Sequence, residues 1–423
     1  MKLEPLLDPR HALYRLAATI DWAAAEARFG ALYAATGRPG VPIRLMAGLQ
    51  YLKQAFNESD ESVVAKWVEN PYWQYFCGME FFQHRLPIDP SQMTRFRQRI
   101  GAQGCEFLLK LTVDAGLATQ TVAKASLLVV NVDTTVQEKA IAFPTDARLY
   151  HGAREALVRK AEAEGLPLRQ SYRRVGKQAL VMNGRYAHAR QMKRAKAEQR
   201  KLRTFLGRVI RDVERKAGKA IAPALAGLLS VAKRIHAQKR HDKRKVYSVH
   251  APEVECIAKG KAHKQYEFGV KVGVVSTSKE SFVVGIHALP GNPYDGHTLG
   301  PSLEQVERLT GQAPKEAYVD RGYRGHQVSR LKVWIAGAKR GVTVAIKQKL
   351  KRRNAIEPVI GHLKEDGRLG RCFLKGAVGD AVNALLCGAG HNLRKILHRL
   401  TLWLPQGTSP PLAGEPRLAS VPA

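Results

Sequence analysis

The stretch LLVVNVDTTV, residues 127–136, places an acidic residue directly after a run of mostly apolar residues. The segment Leu127–Val132 predicts a buried strand, because short apolar runs rich in β-branched residues are typical of sheet cores. Asp133 would then stand at the carboxyl end of that strand, the edge at which open α/β sheets bind their ligands. A single acid in such a place is more often a turn former or a helix cap, so Asp133 alone does not predict a site.

A second predicted strand ends in the same way. In KEAYVDRGYRG, residues 315–325, Asp320 follows the short run AYV. The chain has 69 Lys and Arg against 36 Asp and Glu, a net charge of +33, which indicates a polyanionic partner. Carboxylates that face a polyanion repel it unless a cation lies between them. The two strand-end acids therefore predict a metal site beside a phosphate backbone.

Two Mg²⁺ or Mn²⁺ ions held by carboxylates can clamp a phosphodiester, and such a site needs a third acid. Glu357 in RRNAIEPVIGHLK, residues 352–364, is the best candidate. On a continuous helix it would share a face with Arg353 and Lys364, which could hold phosphates. Pro358 disfavours a continuous helix at this point. An ordinary charged surface helix is the alternative interpretation.

Residues 1–118 have the apolar spacing of helices, as in IRLMAGLQYLKQAF, residues 43–56. Ser91 is a predicted N-cap before a short basic helix. A helix-turn-helix DNA reader and a packing or dimerisation domain are both compatible with this region.

An α/β core is predicted for residues 119–145 and 246–403. The segments QYEFGVKVGVVS (265–276) and SFVVGIHAL (281–289) favour an antiparallel pair, and GVTVAI (341–346) favours one more short strand.

Residues 146–245 interrupt this core as a basic helical insertion. Its apolar residues keep helical spacing, and a phosphate-binding surface is favoured over a merely solvated helix face. The Pro-rich segment 404–423 is a predicted disordered tail.

The composition argues against several other classes of protein. The five cysteines form no CxxC pair, which disfavours a zinc knuckle or a disulfide framework and suits a reducing cytoplasm. The first residues lack the apolar core of a signal peptide, and no window is long enough to span a bilayer. No Gly-rich phosphate loop occurs, so no nucleotide cofactor is expected.

With these acids in place, the chain resembles insertion-sequence transposases of the DDE class, most closely the family of insertion sequence 5. The resemblance rests mainly on YVDRGYRG (318–325) and IEPVIGHLK (356–364), and less specifically on DTT (133–135) and GRPGVPIRLMAGLQYLKQAF (37–56). It implies a ribonuclease-H-like mixed-sheet core, with a helical N-terminal domain before it.

By this resemblance Asp133, Asp320 and Glu357 are the first, second and third catalytic acids, which also hold the metal ions. The 37 residues from Asp320 to Glu357 lie within the range that the family uses. Arg353, Glu357 and Lys364 match three places of the family's tyrosine–arginine–glutamate–lysine signature. Leu350 stands at the tyrosine place, so the role of that tyrosine is in doubt here.

The resemblance implies a transposase that binds terminal inverted repeats and catalyses DNA strand cleavage and strand transfer. It would act on DNA as a homodimer or larger assembly, in the bacterial cytoplasm at the nucleoid, with no membrane partner. Arg321 and Tyr323, next to Asp320, are predicted DNA contacts together with Arg353 and Lys364. Asn292, Asp295 and His297 in GNPYDGHTL (291–299) are further candidates, although turn and cap roles suit them better. A catalytically inactive DNA-binding regulator and a nuclease that cannot join strands are the alternative functions.

Overall fold

The protein is described by a computed structural model that covers residues 1–34, 40–218, 221–258, 265–337 and 343–402. The helices before the first strand are α1 (Ala12–Thr19), α2 (Trp22–Gly30), α3 (Ile43–Ala55), α4 (Asp60–Glu69), α5 (Pro71–Phe76) and α6 (Ser91–Ala118). The insertion contains α7 (Asp146–Ala163), α8 (Arg173–His188), α9 (Met192–Ala217) and α10 (Pro223–Ala237). The remaining helices are α11 (Asp295–Thr310), α12 (Val344–Arg353), α13 (Ile356–Glu365) and α14 (Gly376–Leu402). Short 3₁₀ helices lie at Glu4–Leu6, Lys124–Leu128 and Arg321–Tyr323.

The strands form one mixed sheet. They are β1 (Val129–Glu138), β2 (Glu255–Ala258), β3 (Tyr266–Thr277), β4 (Val283–Leu289), β5 (Glu316–Val319) and β6 (Lys332–Ile335). The sheet runs β4–β3–β1–β5–β6, with β2 on the same edge of β3 as β4. The pairs β1–β3 and β3–β4 are antiparallel, whereas β1–β5 and β5–β6 are parallel. The predicted antiparallel pair at residues 265–289 is therefore confirmed.

Asp133 does not end its strand, so that part of the sequence prediction was wrong. The strand β1 continues to Glu138, because its pairing with β3 extends to the Glu138–Gly269 pair. Its parallel pairing with β5, in contrast, stops at Asn131. Asp133 therefore lies two residues beyond the end of the parallel ladder. The prediction for Asp320 is confirmed, since it directly follows β5.

The strand predicted at residues 341–346 was also wrong. Residues 341–342 lie outside the described ranges, and helix α12 begins at Val344. The Thr343 side chain accepts a hydrogen bond from the backbone N–H of Ile346, which caps this helix. The strand that pairs with β5 is instead the four-residue β6.

The N-terminal helices and the sheet share one hydrophobic core, to which Leu16, Trp67, Val132 and Leu386 all belong. The buried side-chain amide of Asn392 links its own helix α14 to β4 and to α6. It accepts a hydrogen bond from the N–H of Val283 at 2.9 Å, donates to the carbonyl of Val283 at 2.8 Å and donates to Thr112 Oγ1 at 3.2 Å. The N-terminal helices therefore pack directly against the sheet, through α14 and β4.

Three details of the N-terminal region refine the prediction for residues 1–118. Ser91 is the first helical residue of α6 rather than its N-cap, and the Asp89 side chain accepts a hydrogen bond from the Ser91 N–H. Helix α3 is almost wholly buried, which is the environment of a packing helix. The helix α6 bends at Gly101, where φ is 61°.

The insertion has a hydrophobic core of its own, built from α7, α9 and α10 around Leu157, Leu206, Val213 and Ile235. Residues 146–245 carry 28 Lys and Arg against 8 Asp and Glu, so their net charge of +20 is more than half of the +33 of the whole chain. This segment is therefore a folded helical unit with a strongly basic surface.

Within the described ranges, no helix combines the length and the apolar composition that crossing a membrane would require. All five cysteines are free thiols.

Candidate active site

The first two predicted acids occupy equivalent positions on neighbouring parallel segments of the chain. The ladder between β1 and β5 pairs Val129 with Glu316 and Asn131 with Tyr318, and the pairing stops there. Asp133, within β1, and Asp320, directly after β5, each lie two residues beyond that last pair. Paired residues of a parallel ladder project from the same face of the sheet, with the strands about 5 Å apart. The ladder therefore directs both acids to one region, although 187 residues separate them in the chain, and both raise the pKa of Tyr323.

Asp320 is fixed by the turn that follows it. Its Oδ1 accepts a hydrogen bond from the backbone N–H of Gly322 at 2.9 Å, which caps the 3₁₀ turn Arg321–Tyr323. An Asx turn of this kind orients the carboxylate without any contact from a distant element.

The third predicted acid reaches Asp133 through an arginine. Arg353 ends α12 and Glu357 lies in the first turn of α13, so the helix is broken at Asn354–Ala355, and Pro358 falls in the first turn, where proline is tolerated. Arg353 Nη2 donates to Asp133 Oδ2 at 2.7 Å, and its Nη1 lies 3.7 Å from Glu357 Oε1. The Arg353 side chain is 11% exposed, whereas that of Glu357 is 66% exposed. One nearly buried guanidinium therefore stands between the two acids.

A fourth carboxylate, Asp295 at the start of α11, belongs to the same cluster. Its Oδ1 accepts hydrogen bonds from Thr134 Oγ1 at 3.0 Å and from Lys271 Nζ at 3.1 Å. A Cβ atom on Gly322 would lie 3.0 Å from Asp295 Oδ2 and 3.1 Å from Asp320 Oδ1. The carboxylates of Asp295 and Asp320 thus converge on the space above Gly322. The sequence favoured a capping role for Asp295, and only the long-range contacts with β1 and β3 reveal this position.

Tyr323, three residues after Asp320, is buried in the interior of the protein, with 1% of its surface exposed. Burial first, and then the negative charges of Asp133, Asp295 and Asp320, raise the pKa of its phenol well above the usual value. The phenol is therefore neutral at physiological pH. Its predicted contact with DNA stays a prediction.

The remaining predicted residues lie around this cluster. Arg321 is exposed and its guanidinium covers Gly337, where a Cβ atom would come within 2.5 Å of it. Lys364 is half-buried on α13. Asn292 is exposed in the turn before α11, with a positive φ of 44°, and the exposed His297 packs its ring edge-on against Tyr294. Leu350, at the tyrosine place of the signature, lies half-buried on α12 and offers no hydroxyl.

The donor chemistry of the cluster suits a hard divalent cation, because Asp133, Asp295, Asp320 and Glu357 offer only carboxylate oxygens. A cation already fits between Asp133 and Glu357, since the Arg353 guanidinium lies there. In the part of the chain that the structure describes, no three His, Cys, Asp or Glu side chains lie close enough together to hold a metal ion. Asp133, Asp320 and Glu357 would therefore have to move closer together to share a metal ion, and Arg353 would have to leave the space between Asp133 and Glu357.

Comparison with known proteins places the chain in a family. Residues 1–99 match the family model described as "Transposase domain (DUF772)". A Rhizobium meliloti protein described as "Uncharacterized protein ORF8 in nfe locus" is 57% identical over 190 residues, which are 45% of this chain and 92% of that protein. No solved structure is significantly similar to the chain. The chain therefore belongs to the same family as the Rhizobium meliloti protein, and its first 99 residues match a transposase domain.

Proposed function

We propose that this protein is a transposase of the DDE class, related to the insertion sequence 5 family. One observation carries the proposal: Asp133 and Asp320 lie at equivalent positions just beyond the parallel ladder of β1 and β5, and one guanidinium lies between Glu357 and Asp133. The transposase domain at residues 1–99 supports the same class of protein.

The order of the strands supports a ribonuclease-H-like core. If the four-residue β2 is set aside, β1, β3, β4, β5 and β6 are the first to fifth core strands. Asp133 then lies on the first strand and Asp320 directly after the fourth, while Glu357 lies on a helix after the fifth. These are the places that the resemblance to the DDE class implies for the three catalytic acids.

In this account Asp133, Asp320 and Glu357 hold two Mg²⁺ or Mn²⁺ ions. Such ions, when bound, activate the attacking water or hydroxyl and stabilise the leaving oxygen of the phosphodiester. Asp295 is held by Thr134 and by an ion pair with Lys271, and its other carboxylate oxygen lies on the side of Asp320. No nucleotide cofactor enters, because transesterification conserves the energy of the phosphodiester bond.

Arg353 has two partners in this proposal. In the DNA-free protein it neutralises Asp133 and Glu357, which would otherwise repel each other. When DNA binds, a backbone phosphate, which carries one negative charge like a carboxylate, can pair with the guanidinium in bidentate geometry. Asp133 and Glu357 then become available to bind metal. Arg321, on the exposed side of Asp320, and Lys364, on the helix of Glu357, are the other proposed phosphate contacts.

The proposed partners are the terminal inverted repeats of an insertion sequence and its target DNA. Joining two ends requires at least two copies of the site, so the active form on DNA is proposed to be a homodimer or a larger assembly. The proposed place of action is the bacterial cytoplasm, at the nucleoid.

A cleavage and joining assay tests the proposal. The substrate is a duplex that carries the inverted repeats flanking the coding region, incubated with the full chain, Mg²⁺ and a target plasmid. We expect metal-dependent nicks at the repeat ends and covalent joining of the freed 3′ ends to the plasmid, both abolished by EDTA and restored by added Mg²⁺. Binding without cleavage would support the inactive regulator instead, and cleavage without joining would support a nuclease.

A further inference from the structure

We propose that the helical insertion contains a phosphate-binding site for the backbone of double-stranded DNA, separate from the acidic cluster. The inference rests on the proposed function only in taking DNA as the partner. The site is a cavity of about 260 Å³ on the insertion surface. It is lined by Arg169, Gln170, Tyr172, Arg208, Arg211, Asp212 and Arg215.

The arginines of α9 form one face of an amphipathic helix. Arg208, Arg211 and Arg215 are spaced by three and four residues, which places them in a row about 10 Å long. Leu206 and Val213, on the opposite face, are buried in the core of the insertion. Along about 10 Å of the duplex axis, one DNA strand presents roughly three phosphates. The length of the row therefore matches a short run of backbone.

The walls of the cavity are fixed by buried and strained groups. The Asp212 side chain is 8% exposed, accepts a hydrogen bond from the N–H of Arg169 at 2.7 Å and pairs with Arg215. Tyr172 has a left-handed backbone, with φ at 52°, which is uncommon for a residue other than glycine. Its ring stacks on Phe205 at 4.8 Å, and its hydroxyl accepts a hydrogen bond from Arg208 at 3.4 Å. Backbone strain of this kind persists where the surrounding contacts hold it, and it clusters at binding sites.

The charge around the cavity identifies the kind of ligand. Among the residues that the structure describes, the guanidinium groups of Arg169, Arg208 and Arg211 form no ion pair, and all three side chains are exposed. A guanidinium is the side-chain group that best matches a phosphate in geometry. The net charge of +20 on residues 146–245 favours an extended polyanion over a single small anion. Double-stranded DNA is the polyanion that a transposase binds.

The test is the salt dependence of DNA binding by a triple variant, Arg169→Gln, Arg208→Gln and Arg211→Gln. Binding to the repeat-bearing duplex is measured without divalent metal, so that cleavage does not contribute. Each lost phosphate contact reduces the steepness of the negative slope of log K against log salt by about 0.9, so we expect the slope to become less negative by about 2–3. Replacement of the same three arginines by lysine is expected to retain most of the slope, because the charges remain.

The matched control removes three other exposed charges, through Lys110→Gln, Arg308→Gln and Arg330→Gln. Those side chains pair with Asp114, Glu106 and Glu307 and lie away from the insertion. We expect the control to keep the wild-type slope. An unchanged slope in the first triple variant, or an equal decrease in both, would overturn the inference. Because no cleavage is measured, failure of the catalytic proposal would leave this result interpretable.

Discussion

Asp133→Asn and Asp320→Asn are each expected to lower the rate of Mg²⁺-dependent strand cleavage by at least about a thousand-fold. The amide keeps the size of the carboxylate but loses the charge that holds a divalent ion. Glu357→Gln is expected to behave in the same way, although its side chain is far more exposed than that of Asp133. Single-turnover cleavage of an end-labelled duplex measures the rate, and a mobility-shift titration should show DNA affinity within about twofold of wild type.

The matched control for these variants is Glu365→Gln. Glu365 is exposed at the end of the helix that carries Glu357, and its backbone carbonyl, not its carboxylate, accepts the hydrogen bond from Asn57. Cleavage by this variant is expected to equal that of wild type. Cleavage within tenfold of wild type in Asp133→Asn, Asp320→Asn or Glu357→Gln would contradict the assignment of that acid.

Arg353→Gln is expected to bind Mn²⁺ without DNA at least about tenfold more tightly than the wild-type protein. In the wild-type structure the guanidinium of Arg353 lies 2.7 Å from Asp133 and 3.7 Å from Glu357, where it would compete with a divalent ion for both carboxylates. A neutral glutamine removes that competition. Electron paramagnetic resonance of free Mn²⁺, titrated with protein alone and with protein on DNA, measures the affinity independently of cleavage.

The neighbouring arginine supplies the control for this experiment. Arg352 has the same charge but turns away from the acids, and it donates hydrogen bonds to the carbonyls of Ser278 and Lys279. Arg352→Gln is expected to leave Mn²⁺ binding unchanged. If Arg353→Gln and wild type bind Mn²⁺ equally well without DNA, Arg353 does not compete with metal for Asp133 and Glu357.

Local patterns in the sequence were sufficient to predict Asp320 at the end of a strand, because AYV and the following RGY form a short strand and a turn without help from distant residues. They also predicted the antiparallel pair at residues 265–289, where both strands are long and rich in β-branched residues. Local patterns did not predict the second part of β1, residues 133–138. The polar segment after Val132 does not alternate as a strand should, and it is extended because β3 supplies the partner.

The side-chain contacts that define the site could not be predicted from local sequence patterns. Asp133 and Arg353 lie 220 residues apart, and nothing in either local segment predicts their ion pair. Asp295 was placed on a turn by its neighbours, whereas Lys271 and Thr134 bring it to the acids from two different strands. The four-residue β6 was missed because its extended form depends on the parallel ladder with β5. In each case, long-range packing decides what the short-range pattern leaves open.

Asp133, Asp320 and Glu357 are proposed to share one pair of metal ions when DNA is bound. Anomalous scattering from crystals of the protein with repeat-bearing DNA and Mn²⁺ locates these ions. We expect two Mn²⁺ ions about 3.5–4 Å apart, with ligands from all three acids and with the Arg353 guanidinium on a DNA phosphate. Mn²⁺ bound by fewer than two of these acids, with Arg353 still paired to Asp133, would rule out the shared metal site.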